Sequence, residues 1–143
     1  MRFLPTRLGS LCAVLALAAA CGDTPTTPSG ATAFVQTDLT VGSGAAAVAG
    51  NALTVNYSGW LYDESKTDKK GLQFDTSVGR APFTFTLGTG QVIEGWDRGL
   101  PSLRVGGVRR LIIPPSLGYG AVRNGPIPPN ASLVFDIELT GVK

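Results

Sequence analysis

A chain of 143 residues has room for one domain and too little for two comfortable ones. It contains no histidine, which excludes histidine acid–base catalysis, histidine-containing metal sites and a Ser-His-Asp triad. The net charge of +2 comes from Arg2 and Arg7; from Cys21 onward ten basic and ten acidic side chains balance, so the electrostatic signature of a nucleic-acid binder is missing. Nineteen glycines and ten prolines favour a turn-rich, strand-rich fold over a helical bundle. The two cysteines, Cys12 and Cys21, precede the globular region, so the fold is expected to hold by packing alone, without a disulfide.

Residues 1–10 carry Arg2 and Arg7 and no acid, and residues 11–20 (LCAVLALAAA) form an unbroken apolar run. A basic start, a short apolar core and small residues before a cleavage point read as a signal peptide over 1–20. The run is too short to cross a hydrocarbon layer of about 30 Å. Cys21 directly follows Ala18-Ala19-Ala20, a pattern that resembles a bacterial lipobox, although the position three before the cysteine is Ala18 and the nearest leucine is Leu17. Lipidation of Cys21 is the favoured expectation; ordinary cleavage after an A-x-A site, leaving an unanchored protein, is the alternative. With Gly22 after the cysteine, the outer membrane is the expected destination in a Gram-negative cell. The polar stretch to residue 33, with two Thr-Pro pairs, reads as a flexible tether over 21–33.

A globular domain over 34–143 is predicted from short strands. Along residues 53–60, Leu53, Val55 and Tyr57 alternate with Thr54, Asn56 and Ser58, the mark of a half-buried strand. Residues 66–70 read as a solvated loop tip. Phe83, Phe85 and Leu87 alternate with Thr84 and Thr86. Ile93, Trp96 and Leu100 form one stripe of a short helix that Pro101 should end, and Gly95 and Gly99 inside it each cost about 1 kcal/mol against alanine, so the helix needs a sheet to lie on. A strand over 109–113 stops at Pro114-Pro115. In the last strand, 131–140, Leu133, Phe135, Ile137 and Leu139 share one face opposite Asp136 and Glu138. Antiparallel strands around one short amphipathic helix make an α+β domain.

The blocks VNYSGW (55–60), FDTS (74–77), PFTFTLGTGQVIEGWDRGL (82–100), PPSLGYGA (114–121) and IPPNASLVFDIELTGV (127–142) resemble, in order and spacing, the FKBP-type peptidyl-prolyl cis/trans isomerases. The resemblance implies a half-barrel sheet curled over the helix, with an apolar hollow between them. It implies that Tyr57, Phe74, Phe83, Val92, Ile93, Trp96 and Phe135 bind substrate, with Trp96 as the floor. It implies catalytic positions at Asp75, Tyr119 and the backbone N–H of Ile93, with Arg80 supporting Asp75. Gln91 stands where the family often has an acid. The 121–126 loop is one residue shorter than in well-known members and has Arg123 and Asn124 where they have histidine, which leaves substrate preference and macrolide affinity open.

The resemblance further implies an enzyme that needs no cofactor or metal and acts as a monomer. Its partners would be proline-containing unfolded or exported polypeptides, with macrolide inhibitors as further ligands, and it would touch a membrane through the lipid anchor alone, on the periplasmic side. Rotation about an Xaa-Pro bond breaks no covalent bond; amide resonance opposes it with a barrier of about 20 kcal/mol. Charge separation across the amide falls as the bond twists, so an apolar pocket favours the twisted form over the planar one. Two alternatives stand beside this reading: a proline-segment binding module or chaperone with the same pocket and little turnover, and a β-sandwich adhesion domain with no hollow.

Overall fold

The computed structural model describes residues 32–143. The expected signal peptide, Cys21 and all of the expected tether except Thr32 and Ala33 lie outside the described residues. The elements in chain order are β1 (Val35–Thr40), β2 (Ala52–Tyr62), β3 (Lys70–Thr76), β4 (Phe83–Thr86), α1 (Glu94–Gly99), β5 (Val108–Ile113), a 3-10 turn (Pro115–Leu117) and β6 (Leu133–Val142).

One antiparallel sheet runs β1-β5-β6-β2-β3, and β4 also pairs with β2. Its inner face carries the alternating residues read from the sequence: Leu53 and Val55, Phe85, Leu111 and Ile113, and Leu133, Phe135, Ile137 and Leu139 are all buried. Trp96 of α1 and Leu100, the residue that caps its C-terminal end, close the core from the other side, and Phe34 packs against it just before β1. A single sheet over a helix replaces the two-sheet sandwich weighed above.

The two glycines of α1, costly to a free helix, have a packing reason. A Cβ at Gly95 would lie 2.7 Å from Ile113, and one at Gly99 would lie 2.6 Å from Leu111. Their absence lets six helical residues rest directly on β5. The buried guanidinium of Arg109, facing inward from β5, then fastens the end of the helix: it donates to the carbonyls of Gly99 (2.8 Å) and Pro101 (2.9 Å) and, through Nε, to Asp38 of β1 (2.6 Å).

Two strands were not predicted. All six residues of β1 are exposed, so hydrophobic alternation has nothing to report there. In β3 only Leu72 and Phe74 alternate as apolar residues, and Leu72 is exposed. Lys70, expected in the loop tip, is the first residue of β3; its ammonium lies 2.7 Å from Asp136 and 4.0 Å above the centre of the Trp60 ring. The contacts that recruit Lys70 are distant in sequence, and local polarity alone reads as a loop.

Candidate functional site

The site begins with a gap in the sheet. On the edge of β2 away from β6, residues 52–55 pair with β4 and residues 58–62 pair with β3. Between them, at Tyr57, the two neighbouring strands part. Ser77 closes the ladder there: its backbone N–H donates to the Tyr57 carbonyl (2.9 Å), and its Oγ accepts from the Tyr57 N–H (2.8 Å). The sheet opens without leaving an unpaired backbone group at that point.

A cleft of about 360 Å³ lies in this opening, lined by Tyr57, Phe74, Asp75, Phe83, Gln91, Val92, Ile93, Trp96, Tyr119 and Phe135. Every residue expected to contact substrate is among them. Trp96, only 4% exposed, is their centre. The rings of Tyr57 and Phe135 stand almost perpendicular to the indole at 5.2 and 5.3 Å, and Phe83 stands perpendicular to it at 6.3 Å. Phe74 meets Phe135 edge to face at 5.5 Å. Perpendicular packing of this kind fixes each ring through its neighbours. The indole N–H is buried without a nitrogen or oxygen acceptor, so a polar atom is held inside an otherwise aromatic cluster.

Polar groups are few. Asp75 accepts from the Tyr57 hydroxyl (2.7 Å) and the Thr76 N–H (2.8 Å). Arg80 comes no closer than 3.8 Å to Asp75, and its side chain is largely exposed; such a pair contributes little. The hydrogen bond from Tyr57 is therefore the firmer contact of Asp75, and Arg80, expected to support it, the looser one. Burial, then the hydrogen bond to Asp75, pushes the Tyr57 hydroxyl up to about 12. Burial, with the Asp75 charge behind it, raises Tyr119 as well. Both phenols are neutral hydrogen-bond donors at physiological pH. Asp75 is engaged by a donor that does not ionise, which suits orientation better than proton transfer.

Donors are left over in the lining. The N–H of Ile93 lies just before α1, and neither it nor the Tyr119 hydroxyl finds a protein partner among the described residues. Both residues line the cleft. A hollow with an aromatic floor and walls, an engaged carboxylate and available donors can hold a flat apolar ring and grip a carbonyl beside it. Among the described residues no group of His, Cys, Asp or Glu is placed to hold a metal ion.

A family model for FKBP-type peptidyl-prolyl cis-trans isomerase matches residues 44–140, well over half the chain. The chain belongs to this family. It is similar to FK506-binding protein 1 of Gibberella zeae, 48% identical over 105 residues that cover 73% of this chain and 93% of that one. It is equally similar to the FK506-binding protein of Neisseria meningitidis serogroup B, 48% identical over 107 residues and 92% of that protein's length. Among solved structures, AtFKBP13 superposes with a TM-score of 0.66 at 39% identity, covering 81% of this chain and 95% of that one. FkpA from Escherichia coli does so with a TM-score of 0.64 at 40% identity; the match covers 77% of this chain and about half of FkpA. The FKBP fold expected from the sequence is the fold observed, and the chain is a peptidyl-prolyl cis/trans isomerase of the FKBP type.

Three residues that position the FKBP cleft were not assigned to it from the sequence. Ser77, buried within the gap, reads from composition as an ordinary turn serine. Asp97 of α1 accepts from the N–H groups of Gly88 (2.8 Å) and Gly90 (3.0 Å) and so pins the turn that leads to Val92 and Ile93. Both glycines have positive φ, 82° and 75°, which aims their N–H groups at one carboxylate; the pair Gly88, Gly90 with an acid seven residues on was the available signal. Gln91 lines the cleft itself, where the sequence marked only a departure from the family. In the loop that follows Tyr119, Asn124 and Ile127 bridge each other and Val122 is exposed; none of residues 121–126 lines the cleft.

Proposed function

We propose that the cleft over Trp96 binds the Xaa-Pro bond and lowers its rotational barrier by favouring the twisted amide, with no proton shuttle and no covalent intermediate. The observation that carries this reading is the composition of the cleft: ringed by aromatic side chains, with its one carboxylate already engaged and donors free. The proline ring rests on the indole face. The Ile93 N–H and the Tyr119 hydroxyl hold carbonyls beside the turning bond, so that one side is fixed while the other rotates. The planar amide, more polar than the twisted one, loses more by leaving water for this hollow. Each ~1.4 kcal/mol of that difference is a factor of ten in rate. Asp75 orients Tyr57.

The same reading takes residues 1–20 as an export signal, Cys21 as a lipidated anchor, 21–33 as a tether and 34–143 as the isomerase domain. The substrates are then exported polypeptides folding on the periplasmic side, and FK506-type macrolides are ligands of the cleft, in keeping with the names of the relatives.

A protease-coupled assay on a short Xaa-Pro peptide tests the mechanism. The expected kcat/KM is flat from about pH 6 to 9 with a solvent isotope effect near one, because no proton moves in the rate-limiting step. A bell-shaped profile in that range would refute it. Labelling cells with a fatty-acid analogue tests the anchor: label should enter the native chain and be absent from Cys21→Ser.

A further inference from the structure

We propose that Gln91 is a specificity-determining residue, whose side-chain amide selects proline segments carrying a carboxylate side chain next to the proline over those carrying an ammonium. This rests on the reading of the cleft as the prolyl site.

Gln91 is exposed and lines the cleft on the side of Val92 and Ile93. Its Oε1 accepts from the backbone N–H of Thr86 at 2.8 Å. A backbone N–H can only donate, so the orientation of the amide is dictated: oxygen to Thr86, and the two hydrogens of Nε2 on the other branch. Nε2 has no partner among the described residues. Its position is held from both sides. Thr86 ends β4, and its carbonyl accepts from Thr89 Oγ1 (2.9 Å). The turn between Thr86 and Gln91 is pinned to the Asp97 carboxylate through Gly88 and Gly90. The amide is thus a preorganised donor at the cleft wall.

Charge points the same way. Asp75 is the one acidic side chain in the lining, and it is engaged by the Tyr57 hydroxyl, the Thr76 N–H and, more loosely, Arg80. Glu94, the nearest acid in sequence, is paired along α1 with Arg98 at 2.7 Å. What the lining offers an incoming chain is therefore a set of donors: Gln91 Nε2, the Ile93 N–H and the Tyr119 hydroxyl. A carboxylate side chain finds partners there. An ammonium finds only the Asp75 carboxylate, which already accepts from Tyr57 and Thr76 and has Arg80 beside it.

The test is the coupled assay on the full chain with peptides that carry Glu, Leu or Lys directly before the proline, and a second set with the same residues directly after it. In at least one set the native protein should turn over the Glu peptide with kcat/KM about fivefold above the Lys peptide, the size of an exposed charge-assisted contact. Gln91→Glu keeps an oxygen for the Thr86 N–H and exchanges the NH₂ for a second oxygen; the Glu-to-Lys ratio should fall to one or invert. Gln91→Leu should bring it to about one. A native ratio near one in both sets would overturn the proposal, and so would a ratio that both variants leave unchanged. Native turnover of the Leu peptide at the buffer rate would overturn the prolyl-site reading as well, so the two failures are distinguishable.

Discussion

Replacing Gly59 with alanine would place a methyl carbon 2.7 Å from Cε1 of Phe135 and 2.8 Å from Cζ of Phe74. Gly59 lies on β2 opposite Phe135 of β6 and Asp75 of β3, and the two phenyl rings meet over it because it has no side chain. Carbon atoms in ordinary contact are about 3.5–4.0 Å apart, so both rings must retreat by about 1 Å. Phe135 is backed by Trp96 and Tyr57, and its easiest retreat is into the cleft. Overpacking of this kind costs about 1–3 kcal/mol, offset by about 0.5–1 kcal/mol from replacing a flexible glycine in a strand. The expected net loss is about 1 kcal/mol, a fall in melting temperature of about 4–8 °C. Catalysis should suffer more, because misplacing a cleft wall by about 1 Å can cost about a hundredfold. The coupled assay should show kcat/KM for Gly59→Ala at least about tenfold below native. Gly141→Ala is the control: its Cβ would lie 3.7 Å from Thr54 on the same sheet, and its turnover should stay within about twofold of native. Full activity in Gly59→Ala, or equal losses in both variants, would refute the reasoning.

Trp96→Leu should stay folded, lose about 2–3 kcal/mol in urea titration, and turn over about tenfold more slowly, because the perpendicular rings of Tyr57 and Phe135 lose their shared support. Tyr57 is raised from 10.0 to about 12; a raised group contributes stability that is whole below its unfolded value and disappears as pH climbs through its folded one. Native stability should therefore fall between about pH 10 and 12, and Tyr57→Phe should show a shallower fall in denaturant midpoints over that window. For Asp136, burial pushes the carboxyl up, but hydrogen bonds from Arg110 and Lys70 outweigh it and hold the group below its ordinary value. That contribution is present above the ordinary carboxylate range and lost as pH drops through the lowered value. Asp136→Asn should lose about 1–3 kcal/mol at neutral pH, flatten the acid limb of the stability profile and leave turnover unchanged, since Asp136 lies on the outer face of the sheet, away from the cleft.

The elements that could be read in advance are those whose burial repeats with the period of their own backbone. The last strand shows its inward set, Leu133 to Leu139, at every second residue, and α1 shows Trp96 and Leu100 on one side, so both were legible. β1 buries no side chain, and β3 has only Leu72 and Phe74 to alternate, with Leu72 exposed; their positions come from pairing with other strands of the sheet. The cleft followed the same division. Its aromatic lining was named from motif resemblance, and all of those residues converge in the structure. Ser77 and Asp97 were not assigned to it, because a serine in a turn and an acid on a helix have many uses, and only the backbone groups brought against them decide which.

Local sequence, then, determined the alternation of inward and outward side chains, the strand-and-helix class, and the exclusion of histidine chemistry. Tertiary structure alone decided that β3 and β4 part beside Tyr57, that glycine at 59 lets two rings close over the sheet, and that the free branch of the Gln91 amide is its donor. Periodicity is a property of neighbouring residues, whereas a hollow is made by residues up to 78 positions apart, from Tyr57 to Phe135, and depends on which hydrogen-bonding groups the fold has already used.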